Sequence, residues 1–306
     1  REKREERREK REERREKIEE FQIGHMIGIY WATVSRWMMM RAKRDAAALR
    51  TPLFLVQAAD VSKPTMSLAA AKKLMNVANP KDSGGMHGML ALHVGMRIRL
   101  LDALDESKTL VKDAEGVVVR IEPHADDQQK MEDALRMGAG MVYLEKLPKG
   151  VWARMDKYAG APFTKLLQDN DSTLLSADTR NLVFIERRTA DPFVFREYTV
   201  SRTGLPISHA RVITSTACQG RTMRDGVIID CGRQEGGSYK KEDDDWWLDL
   251  YVMLSRATKL EDLLLLRAPD LDFFAKGQPK TRIAESERNS LQRNWVSRHY
   301  FVKSEP

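Results

Sequence analysis

The chain has 306 residues, with 52 Lys+Arg against 45 Asp+Glu and a formal charge of +7. That length suits two ordinary domains, or one domain with a large insertion. Its 42% hydrophobic residues can build a core, which excludes wholesale disorder. Residues 1–17 are all charged, ten basic and seven acidic; the remaining 289 carry 42 basic and 38 acidic residues, a net +4. Such a balance permits a nucleic-acid partner without demanding one. Two cysteines, Cys218 and Cys231, cannot make a disulfide framework or, lacking a second pair, a zinc site. The N-terminal charge run is no secretory signal, and no apolar stretch approaches the ~20 residues that span a bilayer. The expectation is a soluble protein of a reducing, intracellular compartment, without a membrane partner.

The first seventeen residues repeat Arg-Glu-Lys-Arg-Glu-Glu-Arg with no apolar position, so they offer no coiled-coil seam. Pairs such as Arg1/Glu5 and Glu13/Lys17 support a solvated helix, and a nucleic-acid or partner tail is the alternative. From Ile18 the pattern predicts a continuing helix with Phe21, His25, Ile29, Thr33, Trp37 and Met40 near one face, stopping before Pro52. The run Trp37 to Met40 reads as core or a docking face rather than a cofactor box. Leu53 to Val56 is a short buried strand, and Ser67 to Asn76 a short helix. Residues 79–88 are a flexible connection.

Alternation from Val94 to Leu101 marks a half-buried strand. Short apolar runs follow at 116–119, 141–144, 151–155, 182–185 and 193–195, which together predict a small β-barrel across 94–204. After Pro206, Ala210 to Thr214 and Val227 to Asp230 read as strands. Asp243 opens a helix with Trp247, Leu250, Tyr251 and Leu254 inward, and Leu263 to Leu266 is the next buried strand. Strand, helix, strand in this order implies an α/β layer. The tail from 277 to 306 reads as polar and helical.

Ordinary catalytic constellations are missing from the sequence. Six histidines show no metal-ligand spacing, and there is no Gly-x-Ser-x-Gly elbow. There is also no Gly-x-x-x-x-Gly-Lys-Ser/Thr, so the chain by itself has no phosphate cradle.

Two segments nevertheless resemble a known family. Thr214-Ser-Thr216-Ala-Cys218-Gln219-Gly220-Arg-Thr222 is similar to motif V of superfamily 1B DNA helicases of the Pif/RecD type. Tyr251-Val-Met253-Leu-Ser255-Arg256-Ala-Thr258 is similar to their motif VI. Leu205-Pro206 matches the lead-in to motif V. Val94 to Ile98, with Glu115-Gly116-Val117 further on, resembles the SH3-like domain inserted in the second motor domain.

The resemblance implies an α/β fold: a RecA-like second motor domain interrupted by a small SH3-like β-barrel, with an N-terminal charged helix. Its domains would be a helical stretch at 1–50, RecA-like parts at 51–93 and 205–276, the barrel at 94–204 and the tail at 277–306. It implies contact with single-stranded DNA through Thr214, Thr216 and Thr222, where hydroxyls and exposed amides approach a phosphate backbone, and through Arg97 and Arg99. On the ATP side it implies Gln219, Gly220 and Arg256, with Arg256 as the arginine finger and Tyr251 and Ser255 supporting it. Taken alone, Arg256 reads first as a charge complementing a helix dipole, and Arg97 and Arg99 as plain strand residues. The family usually has His at Thr216, Lys at Ala217, Ser at Cys218 and Ala at Met253, and its phosphate-loop half has no counterpart here. The motif IV strand would be replaced by the charged repeat.

The family reaction is ATP-driven 5′→3′ DNA unwinding. ATP and magnesium therefore enter only in a complete motor, with a separate ATP-binding RecA-like domain as a possible partner. In a eukaryote the nucleus or mitochondrion would be the setting. The alternative is a non-enzymatic nucleic-acid-binding or protein-interaction module derived from a helicase.

Overall fold

The protein's structure, a computed structural model, describes residues 24–138, 140–160, 181–232 and 243–267. In chain order the elements are strand β1 (His25–Gly28), helix α1 (Trp31–Ala48), strands β2 (Leu53–Gln57) and β3 (Ala59–Lys63), and helix α2 (Leu68–Met75). Strands β4 (Met89–Leu92), β5 (Arg97–Leu100) and β6 (Glu115–Glu122) precede helix α3 (Gln128–Met137). Then come β7 (Met141–Tyr143), β8 (Gly150–Met155), β9 (Leu182–Glu186), β10 (Arg188–Thr189), β11 (Phe193–Phe195), β12 (Tyr198–Gly204), β13 (Ile207–His209) and β14 (Val212–Thr214). Strand β15 (Val227–Asp230), helix α4 (Asp243–Leu254) and strand β16 (Leu263–Arg267) close the described chain. They fall into two compact units: a continuous one, Tyr30–Thr214, and one assembled from the chain up to Ile29 and from Ser215 onward. No helix among the described residues is long and apolar enough to cross a membrane.

In the assembled unit β15 runs parallel to β1 on one side and β16 on the other, with His25 opposite Val227 and Val227 opposite Leu263. Met26, Ile27 and all of β15 are buried, as strands of a parallel sheet covered on both faces must be. At the carboxyl ends, Asp230 accepts from Arg267 Nε and Nη2 at 2.5 and 2.6 Å and from the Gly232 amide at 3.0 Å, which ties β15 to β16. Helix α4 turns Trp246, Leu250 and Met253 inward.

Among its described residues the continuous unit holds three sheets. The largest is antiparallel, in the order β13-β5-β6-β8-β9. A second runs β4-β2-β7, with β7 parallel to β2. In the third, β12 pairs with β10 and β11 and also with β3. One core cluster joins the first two sheets and α3, from Phe54 and Leu92 through Ile98, Leu100, Val151 and Ile185 to Met131. Helix α1 packs on β2, β4 and β14 with Val34, Met38, Arg41, Ala42 and Ala46 buried.

The strand-helix-strand succession after Pro206, the strand at 53–56 and the Ser67-capped helix at 68–75 match the sequence reading. Several expectations are corrected. The predicted helix across 18–48 is broken by β1: Gly24 and Gly28 bracket Met26-Ile27, glycine is poor in helix interiors, and burial beside β15 decides the outcome. Thr33, Trp37 and Met40 do not form the inner face of α1, because Val34, Met38 and Ala42 carry an equally good helical spacing. In α4 Leu250 is buried as expected, but its buried companions are Trp246 and Met253 rather than Trp247, Tyr251 and Leu254.

The strands predicted to form one barrel across 94–204 divide among three sheets. Met141–Tyr143 joins β2, and Phe193–Phe195 joins β12. The charged heptads and the 277–306 tail lie outside the described residues.

Candidate nucleic-acid interface

The segment resembling motif V folds into a tight turn whose inner and outer residues separate cleanly. Thr216–Cys218 form a single 3₁₀ turn, with the Cys218 amide on the Ser215 carbonyl and the Arg221 amide on the Cys218 carbonyl at 3.1 Å. The Cys218 side chain is fully buried and its thiol donates to the Ser215 carbonyl at 2.9 Å. Burial pushes that thiol up to about 11, against the opposing field of Arg256. Met223 is the second inward anchor. Between and around these anchors Thr216, Gln219, Gly220, Thr222 and Arg224 are exposed. Gly220 has φ +76, the left-handed region, and a β-carbon there would meet nothing within 4 Å. Glycine is therefore placed here for backbone conformation rather than for space.

The segment resembling motif VI is the end of α4. Leu250 and Met253 anchor it, and the Ser255 and Arg256 amides bond back to Tyr251 and Met253. Arg256 is half-buried and its guanidinium is spoken for: Nε donates to the Val252 carbonyl at 2.8 Å, Nη1 to the Arg221 carbonyl at 2.9 Å and Nη2 to Ser255 Oγ at 2.8 Å. The Met223 amide donates to the Arg256 carbonyl at 3.0 Å, and Met223 and Ala257 form a parallel bridge. One helical turn earlier, Tyr251 stacks on Trp247 with ring centroids 5.5 Å apart and planes 6° from parallel; Tyr251 is exposed.

The fold thus brings Thr216, Gln219, Gly220, Thr222, Tyr251, Ser255 and Arg256 into one unit. Thr214 does not join the exposed set: it is 6% exposed at the end of β14, in the interior rather than facing solvent. Arg97 and Arg99, expected as DNA contacts, are both held by carboxylates of their own unit. Arg99 is 3% exposed and bonds Asp113 at 2.5 Å, while Arg97 holds both oxygens of Asp156, at 2.8 and 2.6 Å, and Glu115 at 3.1 Å. A guanidinium neutralised by carboxylates has little field left for a phosphate. Sequence reasoning missed the carbonyl of Arg221 and the anchoring of Cys218 and Met223. The available signal was two apolar side chains, five residues apart, in an otherwise polar turn.

Of the residues expected on the ATP side, Gln219 and Gly220 are exposed, and the Arg256 guanidinium is bonded on each of its three nitrogens to this chain. Among the described residues no three His, Cys, Asp or Glu side chains converge to hold a metal ion.

No protein-family model and no curated protein matches the chain. Solved structures do. Bacteroides Pif1 bound to ssDNA matches with a TM-score of 0.50 and 16% identity, over 89% of this chain and 46% of that one. The Pif1 helicase from Candida albicans matches with a TM-score of 0.48 and 18% identity, over 87% and 50%. Bacteroides Pif1 in complex with ADP-AlF3 and ssDNA gives 0.46 and 18%, over 87% and 45%. The chain spans about half the length of the structures it matches. A mixed α/β fold with a parallel sheet resembling a helicase motor domain is the class. Within that class, the fold is similar to that of Bacteroides Pif1 over the part that the chain spans.

Proposed function

We propose that this chain is the second-motor half of a Pif-type DNA helicase and that it grips single-stranded DNA through the exposed turn at Thr216, Gln219 and Thr222. The observation that carries this reading is the construction of the two motif-like segments as one piece. Buried Cys218 and Met223 fix the turn from within, so hydroxyl, amide and backbone groups, with exposed Arg224 beside them, present a face of the kind that follows a phosphate backbone. One of the structures it resembles is a protein bound to ssDNA, which supports the same partner. The antiparallel sheet of β5, β6, β8 and β9 is the counterpart of the SH3-like insert, and the parallel sheet that of the RecA-like domain.

ATP and magnesium belong to this proposal only through a separate ATP-binding RecA-like domain. Arg256 would be the residue offered to the nucleotide there. Alone, the chain does not hydrolyse ATP, and a single-strand-stimulated ATPase that disappears in Arg256→Ala would overturn this.

The direct test is fluorescence anisotropy of a labelled single-stranded DNA at two salt concentrations. Binding is expected to weaken with salt along a shallow slope, because few phosphates are contacted, and to weaken further in Thr222→Ala. No binding at low salt would overturn the grip. The second reading, a binding module without enzymatic function, is favoured by the complete engagement of Arg256 within its own chain. It predicts the same strand binding, with no ATPase restored by a phosphate-loop domain added in trans.

A further inference from the structure

Thr222 lies in a stretch without regular secondary structure, yet its two neighbouring peptide groups are both bound to one residue. On its N-terminal side the Arg221 carbonyl accepts from Arg256 Nη1 at 2.9 Å, and on its C-terminal side the Met223 amide donates to the Arg256 carbonyl at 3.0 Å. The other two guanidinium nitrogens fix the orientation of the fork, on the Val252 carbonyl and Ser255 Oγ. Charge-assisted hydrogen bonds from a planar guanidinium are directional in a way that a single ammonium cannot reproduce.

We infer that Arg256 is a positioning residue: it clasps the Arg221–Met223 segment from both sides and holds the Thr222 hydroxyl outward for the single strand. This rests on the proposed strand grip for its consequence, while the clasp itself is independent of any ligand. It also distinguishes two roles for one arginine. A residue that only presents positive charge keeps most of its effect as lysine, whereas a clasp does not, because lysine brings one point donor where three acceptors wait. The carbonyl half of the clasp survives any substitution, so the segment loosens rather than detaches.

The probe is built in. Cys218 is buried under the same turn and Cys231 is buried away from it on the chain after β15, so thiol labelling reads local opening at one site against an internal control. In Arg256→Lys and Arg256→Ala of the full chain, labelling of Cys218 by dithiobis(nitrobenzoate) is expected to accelerate about tenfold, the scale of one lost charge-assisted bond, with Cys231 unchanged. Single-strand affinity in Arg256→Lys should fall about as far as in Thr222→Ala, and the double variant should fall no further, because Arg256 acts through Thr222.

Wild-type labelling rates in Arg256→Lys, whose folding is the safer of the two, would overturn the clasp. So would strand losses that multiply in the double variant. If neither the wild type nor any variant binds a strand while Cys218 labelling accelerates as described, the strand grip fails and the clasp stands.

Discussion

Asp60 and Arg202 stand directly opposite each other on the antiparallel pair β3/β12, and the carboxylate takes both Nε and Nη2 of the guanidinium, at 2.7 and 2.8 Å. Arg202 is 0% exposed, and its remaining donors reach the carbonyls of Met86, Ser83 and Leu74 at 3.2 to 3.5 Å. A buried guanidinium that loses its carboxylate keeps its desolvation cost without its counter-charge. Asp60→Asn is therefore expected to lower the unfolding free energy by about 3 kcal/mol. Urea denaturation checks it, and a change under 1 kcal/mol would show that the three carbonyls suffice.

Elsewhere a buried carboxylate serves the backbone instead of a cation. Asp127 is 1% exposed and accepts the amides of Glu145 and Lys146 at 3.1 and 2.8 Å, pinning the loop after β7 to the start of α3. Asp127→Ala leaves two amides unmatched and is expected to cost about 2–3 kcal/mol, read as a drop in thermal midpoint.

The continuous unit should weaken in mild acid. Burial, with the fields of Arg99 and Arg202 adding to it, pushes the His87 imidazole from 6.5 to about 4, and burial also lowers His93 and His209. Arg41 and His93 further lower His209, whereas Asp45 beside it raises it. A histidine whose folded pKa is depressed binds its proton first in the unfolded chain. Unfolding free energy is then intact above the unfolded value and falls as pH drops from about 6.5 towards 4. His87→Gln, which keeps a polar group for Ser208 Oγ at 3.0 Å in the native pair, should flatten the pH dependence of the urea midpoint in that window. An unchanged slope would remove His87 from the account.

At Gly220 the cost of substitution is conformational, because the space beside it is open. Gly220→Ala should destabilise by about 1 kcal/mol, and Gly220→Asn by less, since asparagine visits the left-handed region more readily. Equal losses for both, measured by chemical denaturation, would mean that contact and not backbone conformation governs the site.

The parts legible in the sequence were those where one short pattern carries its own reason. Ser67 caps α2 through the Ala70 amide at 3.2 Å, as a serine before a helical run should, and Val227 to Asp230 is buried as its unbroken apolar run required. What was not legible depended on distant partners. His25 to Gly28 pairs with a strand that only the tertiary fold brings beside it, and Met141 to Tyr143 chose β2 over the nearer strands of the large sheet. Arg97, Arg99 and Arg256 looked like free cations because nothing local announces Asp156, Asp113 or the carbonyl of Arg221.

The discontinuity at Tyr30 and Thr214 orders events in time. Strand β1 is made about 200 residues before β15, its in-register neighbour. At about 5–20 residues per second, that delay is on the order of tens of seconds. Every strand partner of the large antiparallel sheet, by contrast, lies inside one uninterrupted stretch of chain. The continuous unit can therefore fold during synthesis, whereas the parallel sheet closes last, and the turn that carries Thr222 is completed only once α4 has been made.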